Sequence, residues 1–293
     1  MERVAKYSPE EIVEKLGLKP VTTYQSEIIS SPLEPSVVIA GAGSGKTETM
    51  SNRVLYLVAN GFVTPDQILG LTFTRKAAGE LSVRIRKRLR QLAADKDFKH
   101  ITSTSTSVTT YHSYAGKLLS EHAIRYGIDA DAEPLGEAAI WQIASDVVRN
   151  WSDDSYRNQS AVSTVIKDLL GLSKLMLEHQ VNAEDIERIG NEVLLSLQPL
   201  TGSSNAEVRD VAKAMRQRNS LLPMVETFMQ RRKAAGEFSF DDQMSLAADI
   251  AQNFEDVGVL ERGKYKVVLL DEYQDTSQSQ VRMLSSLYGG GHP

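Results

Sequence analysis

The 293 residues contain no cysteine. Disulfides, iron–sulfur clusters, thiolate zinc sites and cysteine nucleophiles are therefore excluded within them. Long hydrophobic runs are lacking as well: no stretch approaches the ~18 apolar residues of a membrane-spanning helix, and Met1–Tyr7 has no signal-peptide core. The expectation is a cytoplasmic chain with no membrane partner. Positive charge is not in surplus, since 33 Lys and Arg face 38 Asp and Glu for a net −5. That total gives no hint of nucleic acid, but it is an average, and clustering matters more. A composition of 41% hydrophobic and 24% charged residues is ordinary for a globular protein and argues against long disorder. The length suits one large or two modest domains at ~100–200 residues each.

Ser8-Pro9-Glu10-Glu11 opens the first legible helix, with a Ser cap, Pro in the first turn and a Glu that completes a capping box; Gly17 ends it. A second helix should run from near Thr22 to about Ser30. After Pro32 and Pro35, the apolar run Val37-Val38-Ile39 predicts a short buried strand. Gly41, Gly43 and Gly45 follow at once, then Lys46-Thr47 and a helical stretch through Val58. A second strand is expected at Ile68–Phe73. The next helix carries apolar residues at Ala78, Leu81, Ile85, Leu89 and Leu92, the spacing of one buried face. Residues 102–110 are nearly all Ser and Thr, with Val108-Thr109-Thr110 read as strand. From about Leu118 to Lys233 the pattern is helical, as in Val165, Leu169, Leu172 and Met176, with polar loops near 152–160 and 201–206. Strand signal returns at Lys266–Leu270, before acidic residues and a further helix. No internal repeat is evident.

This predicts an α/β fold with a phosphate-loop parallel sheet and an inserted all-helical subdomain. The expected divisions are residues 1–117, 118–233 and 234–293. The loops after Ile39, Phe73 and Leu270 all leave strand carboxyl ends, where ligands sit in such sheets, so they should converge.

Ala40-Gly41-Ala42-Gly43-Ser44-Gly45-Lys46-Thr47 is the strongest signal. A phosphate chain needs inward backbone amides at close range, which glycine permits, and the positive end of the following helix. Lys46 can bridge the β- and γ-phosphates of ATP, and Thr47 can offer its hydroxyl to Mg²⁺. The strict pattern has Gly where Ala40 stands, and Ala fits there if its φ is negative. Asp271-Glu272, at the end of an apolar strand, can supply a magnesium carboxylate and a base for the attacking water. An acidic pair in that place can also simply favour a helix N-terminus. Gln25 has two readings of equal weight, as an adenine-reading amide and as the last residue of the capping box Thr22-Thr23-Tyr24-Gln25.

Residues 75–90 carry Arg75, Lys76, Arg84, Arg86, Lys87, Arg88 and Arg90 against Glu80 alone, a local 7 − 1 = +6. Such a run is often a solvated helix face; it can also contact nucleic-acid phosphates. Beside it lie Thr72-Phe73-Thr74 and Thr110-Tyr111-His112-Ser113-Tyr114, which offer aromatics for base stacking among hydroxyls and cations, the chemistry of a single-strand groove. A lone Phe or Tyr at a strand end is as often core. His112 has no ligand-spaced partner for a metal. Phe240-Asp241-Asp242 reads as a cap or a supporting element.

Taken in order, these motifs resemble the UvrD/Rep/PcrA group of superfamily 1 DNA helicases. Gln25 matches the adenine-reading motif of that group, and Ala40–Thr47 its phosphate loop, where Ala is common at the first position. Thr72-Phe73-Thr74-Arg75-Lys76-Ala77-Ala78 and Thr110-Tyr111-His112-Ser113 match two elements that line its single-stranded DNA path, although Arg75 stands where many members have Asn. Asp271-Glu272-Tyr273-Gln274-Asp275-Thr276 matches its six-residue acidic motif, in which Gln274 and Asp275 connect the ATP site to neighbouring motifs. Glu48 departs from the group, where a basic residue often follows. The resemblance implies a RecA-like motor domain, ATP and Mg²⁺ as cofactors, single-stranded DNA as partner and 3′→5′ translocation in DNA repair or recombination. It also implies a second RecA-like domain with arginines that reach the γ-phosphate, expected to lie outside these residues. Without that domain the chain should bind ATP·Mg weakly, hydrolyse it slowly and not unwind. Gly45–Met50, Leu57–Gly61 and Gly70–Lys76 are further similar to the AdnB-type motor subunit of actinobacterial helicase–nucleases, which implies a helicase–nuclease partner subunit. Another phosphate-loop enzyme and a non-catalytic binding module are the competing readings.

Overall fold

The structure, a computed structural model, describes residues 5–41, 43–129, 131–152, 161–198 and 206–293. Ala42 of the phosphate loop, and most of the two polar loops expected near 152–160 and 201–206, lie outside the described residues.

Local chemistry sets the first elements. Ser8 caps α1 (Pro9–Lys15): its Oγ accepts from Glu11 N at 3.2 Å while Glu11 Oε2 accepts from Ser8 N at 2.7 Å. Thr22 and Gln25 build the same reciprocal box at α2 (Thr23–Ser30). Then come α3 (Lys46–Ala59), β1 (Ile68–Thr72), α4 (Arg75–Ala93), β2 (Ser107–Thr110) and α5 (Tyr111–His122). A helical stretch follows, with α6 (Glu137–Arg149), α7 (Val162–His179), α8 (Ala183–Leu197), α9 (Ala206–Ala234), α10 (Phe240–Asn253) and α11 (Glu255–Lys264). The chain closes with β3 (Val267–Leu270) and α12 (Gln278–Tyr288).

The three strands form a parallel sheet in the order β2-β1-β3, with Leu69 opposite Ser107 on one side and Val268 on the other. Parallel neighbours need a crossover, which α4 supplies between β1 and β2. The middle strand is buried along its whole length. α4 turns Ala78, Leu81, Ile85, Leu89 and Leu92 inward, the five positions its spacing marked. Leu81, Ile85, Leu89 and Leu92 pack with Val54, Leu57 and Val58 of α3, Ile68, Phe98 and Val267.

One expected strand is not formed. Val37, Val38 and Ile39 belong to no strand, and are 80%, 46% and 95% exposed. A strand needs partners for its N–H and C=O groups, whatever its apolarity. Here β2 and β3 are the sheet edges, and on the β3 side the Val268 amide donates to Pro293 O at 3.0 Å.

Two compact units result. The first comprises the chain up to Lys117 with Ala251–Thr276 and Val281–Pro293, and the second Leu118–Ile250 with Ser277–Gln280. The second has its own helical core, in which Val148, Val165, Leu169, Met176, Val225 and Phe228 are buried. Within it Asp242 accepts from Ser239 N and Ser239 Oγ and pairs with the buried Arg232. Phe240-Asp241-Asp242 is thus a cap at the head of α10, with a buried counter-ion.

Candidate functional site

The site lies in the first unit, at the carboxyl ends of β1, β2 and β3. Gly43 and Gly45 have φ of +76° and +88°, in the region glycine adopts at little cost, and Ser44 N closes the turn on Gly41 O at 3.3 Å. Ala40 is not a positive-φ residue, so alanine is tolerated there. Lys46 opens α3 and folds back over the loop, its Nζ donating to Ala40 O at 3.3 Å. The helix has no side-chain cap, and its first amides have no intrahelical acceptor. The loop therefore presents N–H groups and an ammonium group to one place.

Gln25 realises the cap and also reaches the loop. Its Oε1 accepts from Thr22 N at 3.1 Å and its Nε2 donates to Ser44 O at 3.2 Å. The approach is close: a Cβ at Gly45 would lie 3.0 Å from Gln25 Nε2. Arg53 holds α2 against α3 by donating to Ile29 O at 2.7 Å, to Ser31 O, and to Pro32 O at 3.0 Å.

The acidic pair follows β3. Asp271 N continues the ladder to Leu71 O at 2.9 Å. Burial lifts the Asp271 carboxyl above the usual carboxylate range and the charge of Glu272 adds to it; the Glu272 amide and Lys46 oppose this. The charge of Lys46 thus reaches the Asp271 carboxyl, as the smallest of these four influences. Glu272 occupies the left-handed region at φ 50°, which for a non-glycine residue costs on the order of 1–3 kcal/mol and is characteristic of functional turns. Gln274 steadies it, its Nε2 donating to Glu272 Oε2 at 2.6 Å and, more weakly, to Asp275 Oδ2 at 3.4 Å.

Among the described residues no three His, Cys, Asp or Glu cluster into a metal cage. Thr47 and Asp271 offer a hydroxyl and a carboxylate oxygen. That donor set fits Mg²⁺ delivered with a nucleotide, which keeps its waters and phosphate ligands and takes only one or two protein oxygens.

The residues assigned to DNA divide into two groups. Thr74, Arg75 and His112 are exposed and Phe73 is half-buried, whereas Thr72, Thr110 and Tyr111 are buried. The threonine hydroxyls serve the backbone: Thr74 Oγ1 caps α4 by accepting from Ala77 N at 3.1 Å, Thr72 Oγ1 donates to Thr74 O at 3.2 Å, and Thr110 Oγ1 accepts from Ser113 N at 3.1 Å. Tyr111 is only 1% exposed, so it presents no face for a base to stack on. Its ring lies 4.9 Å from that of Phe73, and its hydroxyl donates to Asp271 O at 3.1 Å. It joins the candidate base platform to the acidic strand end, a role the apolar pattern did not disclose.

A second unforeseen contact explains part of the basic run. Glu48, two residues past Lys46, pairs with Arg88 at 2.6 Å and Arg84 at 3.4 Å, while Arg88 also donates to Asn52 Oδ1 at 3.1 Å. The only sequence signal was an acid in a place where the resembled group favours a base.

Residues 21–292 match the family model described as the UvrD/REP helicase N-terminal domain. The chain is 27% identical over 285 residues to "ATP-dependent DNA helicase UvrD1" of Mycobacterium leprae, covering 97% of this chain and 32% of that protein. It is 29% identical over 273 residues to the protein of the same name from Mycobacterium tuberculosis, covering 93% and 30%. "ATP-dependent DNA helicase PcrA" of Staphylococcus aureus is 26% identical over 275 residues, covering 92% and 32%. The chain thus spans about a third of the length of the curated relatives it matches. No helix among the described residues is long and apolar enough to cross a membrane.

Proposed function

The chain belongs to the UvrD/REP helicase N-terminal domain family, and from that premise we propose that it is the nucleotide-binding part of an ATP-driven motor that moves 3′→5′ along single-stranded DNA in repair or recombination, in the cytoplasm at the nucleoid. The observation that carries this reading is the junction at Asp271. The charge of Lys46 in the phosphate loop bears on its carboxyl, and its carbonyl takes the Tyr111 hydroxyl that stands behind Phe73. On this reading one residue would serve both the triphosphate and the strand path.

The loop amides would bind the phosphates, and Lys46 would exchange Ala40 O for the β- and γ-phosphate oxygens. Gln25, already against the loop, would turn its amide to the adenine edge. Thr47 and Asp271 would hold Mg²⁺, which when bound neutralises phosphate charge. Glu272, kept in place by Gln274, would take the proton of the attacking water for in-line displacement, and Asp275 would carry the state of the site to its neighbours. Phe73 would stack a base, with Thr74, Arg75 and His112 along the backbone. A second RecA-like domain, and a helicase–nuclease partner subunit, are the partners this reading adds.

The test is equilibrium binding of ATP·Mg with and without single-stranded DNA, together with ATP turnover by the protein that contains this chain. Lys46→Ala should abolish tight ATP binding. Glu272→Gln should keep binding and reduce turnover by about 10²–10⁴-fold, the usual worth of a general base. If both variants bind and hydrolyse like the parent, the site assignment is wrong.

A further inference from the structure

α4 is cationic on more than one side, and its sides have different neighbours. At 3.6 residues per turn its buried stripe centres on Ile85, and the opposite face carries Val83, Arg86, Lys87, Arg90 and Gln91, all exposed. Arg84 and Arg88 lie between the two and are taken by Glu48, and Lys76 has Glu80 at 4.0 Å. Arg86, Lys87 and Arg90 have no acidic partner among the described residues; Arg86 makes one long contact to Ser82 Oγ at 3.5 Å. Arg86 and Arg90 stand at i and i+4, where like charges repel by a few tenths of a kcal/mol. The five side chains line a shallow open depression, with Val83 as its apolar member.

We propose that this face is an auxiliary binding surface for the phosphodiester backbone of nucleic acid, separate from the strand path that begins at Phe73. The inference rests on the DNA-motor reading and extends it. Arg75 starts α4 at the strand carboxyl ends, and Arg86, Lys87 and Arg90 lie eleven, twelve and fifteen residues on, about 16, 18 and 22 Å away along the helix axis. These distances correspond to roughly five to six phosphates of a stacked strand at 3.4 Å per strand step. The three cations therefore cannot serve the nucleotides that lie on Phe73, and they reach only a longer nucleic acid whose flank passes along α4. Charge complementarity favours a polyanion, and the regular spacing over one helical turn suits a repeating phosphate better than scattered carboxylates.

The experiment is the salt dependence of affinity of this chain for labelled DNA of two lengths, about 4 and about 25 nucleotides, with R86Q/K87Q/R90Q as the variant. Each phosphate contact contributes about 0.7–0.9 to the slope of log K against log salt, so the variant should lose about 2–3 units of slope on the long DNA and none on the short one. K6Q/K19Q/K266Q, which removes the same charge from exposed lysines elsewhere on the unit, should change the long-DNA slope by less than one unit. Equal slope losses in the two triple variants, or a loss on the short DNA as large as on the long, would overturn the proposal. F73A addresses the underlying reading instead: it should weaken binding at both lengths. If neither length binds at all, that reading fails first. If an acidic protein displaces long DNA but the slope does not move, the face serves a protein partner and the proposal is wrong.

Discussion

Tyr111→Phe removes one hydroxyl and little else. The ring would stay in the core, 4.9 Å from Phe73, and only the bond to Asp271 O at 3.1 Å would go. A typical intramolecular hydrogen bond contributes about 0.5–1.5 kcal/mol, and the upper end applies because a half-buried carbonyl loses its partner. About 1–1.5 kcal/mol converts to roughly 2–5 °C in the melting temperature of a unit of this size. The expected pattern is specific. Thermal melting should fall by that amount, the Mg²⁺-dependent affinity for ATP should fall because Asp271 is less firmly placed, and affinity for short single-stranded DNA should hold because the ring still supports Phe73. Calorimetry, nucleotide titration at several Mg²⁺ concentrations and DNA anisotropy measure the three separately. Two results would refute the reasoning. DNA affinity falling as far as in Phe73→Ala would mean that Tyr111 touches DNA directly. Unchanged melting and unchanged ATP affinity would mean that the bond to Asp271 does no structural work.

Three further perturbations follow from the same geometry. Gly45→Ala places a Cβ 3.0 Å from Gln25 Nε2 in a residue at φ +88°, and left-handed backbone alone costs an alanine about 1–2 kcal/mol; ATP affinity should drop about tenfold by nucleotide titration, and an unchanged affinity would show that the loop tolerates the side chain. Glu48→Gln leaves Arg88, whose side chain is 13% exposed, without its carboxylate; with Glu48 itself partly in solvent the loss should be on the order of 1 kcal/mol by urea denaturation, smaller at high salt, and no loss would show the cluster to be energetically idle. The third is a pH dependence. Burial first, and then the neighbouring Tyr288 and Glu261, pushes the Tyr114 phenol well up; burial also raises the Tyr288 phenol, with the hydrogen bond to Tyr114 opposing and Glu261 and Tyr265 adding to the rise, and Tyr114 Oη lies 2.6 Å from both Glu261 Oε2 and Tyr288 Oη. The folded state thus holds these protons more tightly than the unfolded state, so the contribution is complete below the ordinary phenol pKa near ~10 and declines as pH rises past it. Denaturant midpoints should fall from pH ~10 upward, and less so in Y114F/Y288F.

Most of the frame was legible because it is written in local chemistry. Ser8 and Thr22 announce their helices by capping boxes, α4 by its five apolar positions, and β1, β2 and β3 by short apolar or β-branched runs beside turn signals. The phosphate loop was legible for the same reason, since positive-φ glycines and a helix start are adjacent in sequence. What failed was non-local. Val37-Val38-Ile39 has strand composition, but pairing depends on a neighbour distant in sequence, and apolarity cannot supply one. The burial of Tyr111 was not legible because a tyrosine at a strand end looks the same whether it meets solvent or the Asp271 carbonyl, 160 residues away. The Glu48 cluster spans 36 and 40 residues and left no periodic trace.

The basic run shows why such non-local contacts change a functional argument and not only a fold. Seven cations in sequence would contribute a salt slope of about 5–6 if all of them met phosphate. Glu48 withdraws Arg84 and Arg88, Glu80 partly neutralises Lys76, and Arg75, at the head of the helix, is the one the proposed function gives to the strand path. Three remain, on the single face of α4 turned away from the core. A contribution near 2–3 is therefore what the three allow, with about one more from Arg75 if it meets the strand, and a total near 5–6 would require the Glu48 pairs to open on binding DNA. In that event the first turn of the phosphate-loop helix would lose its tie to α4 whenever DNA engaged. The same titration repeated in Glu48→Gln separates the two cases: with the pairs closed in the complex, freeing Arg84 and Arg88 should raise the slope, whereas with the pairs already open the substitution should leave it unchanged.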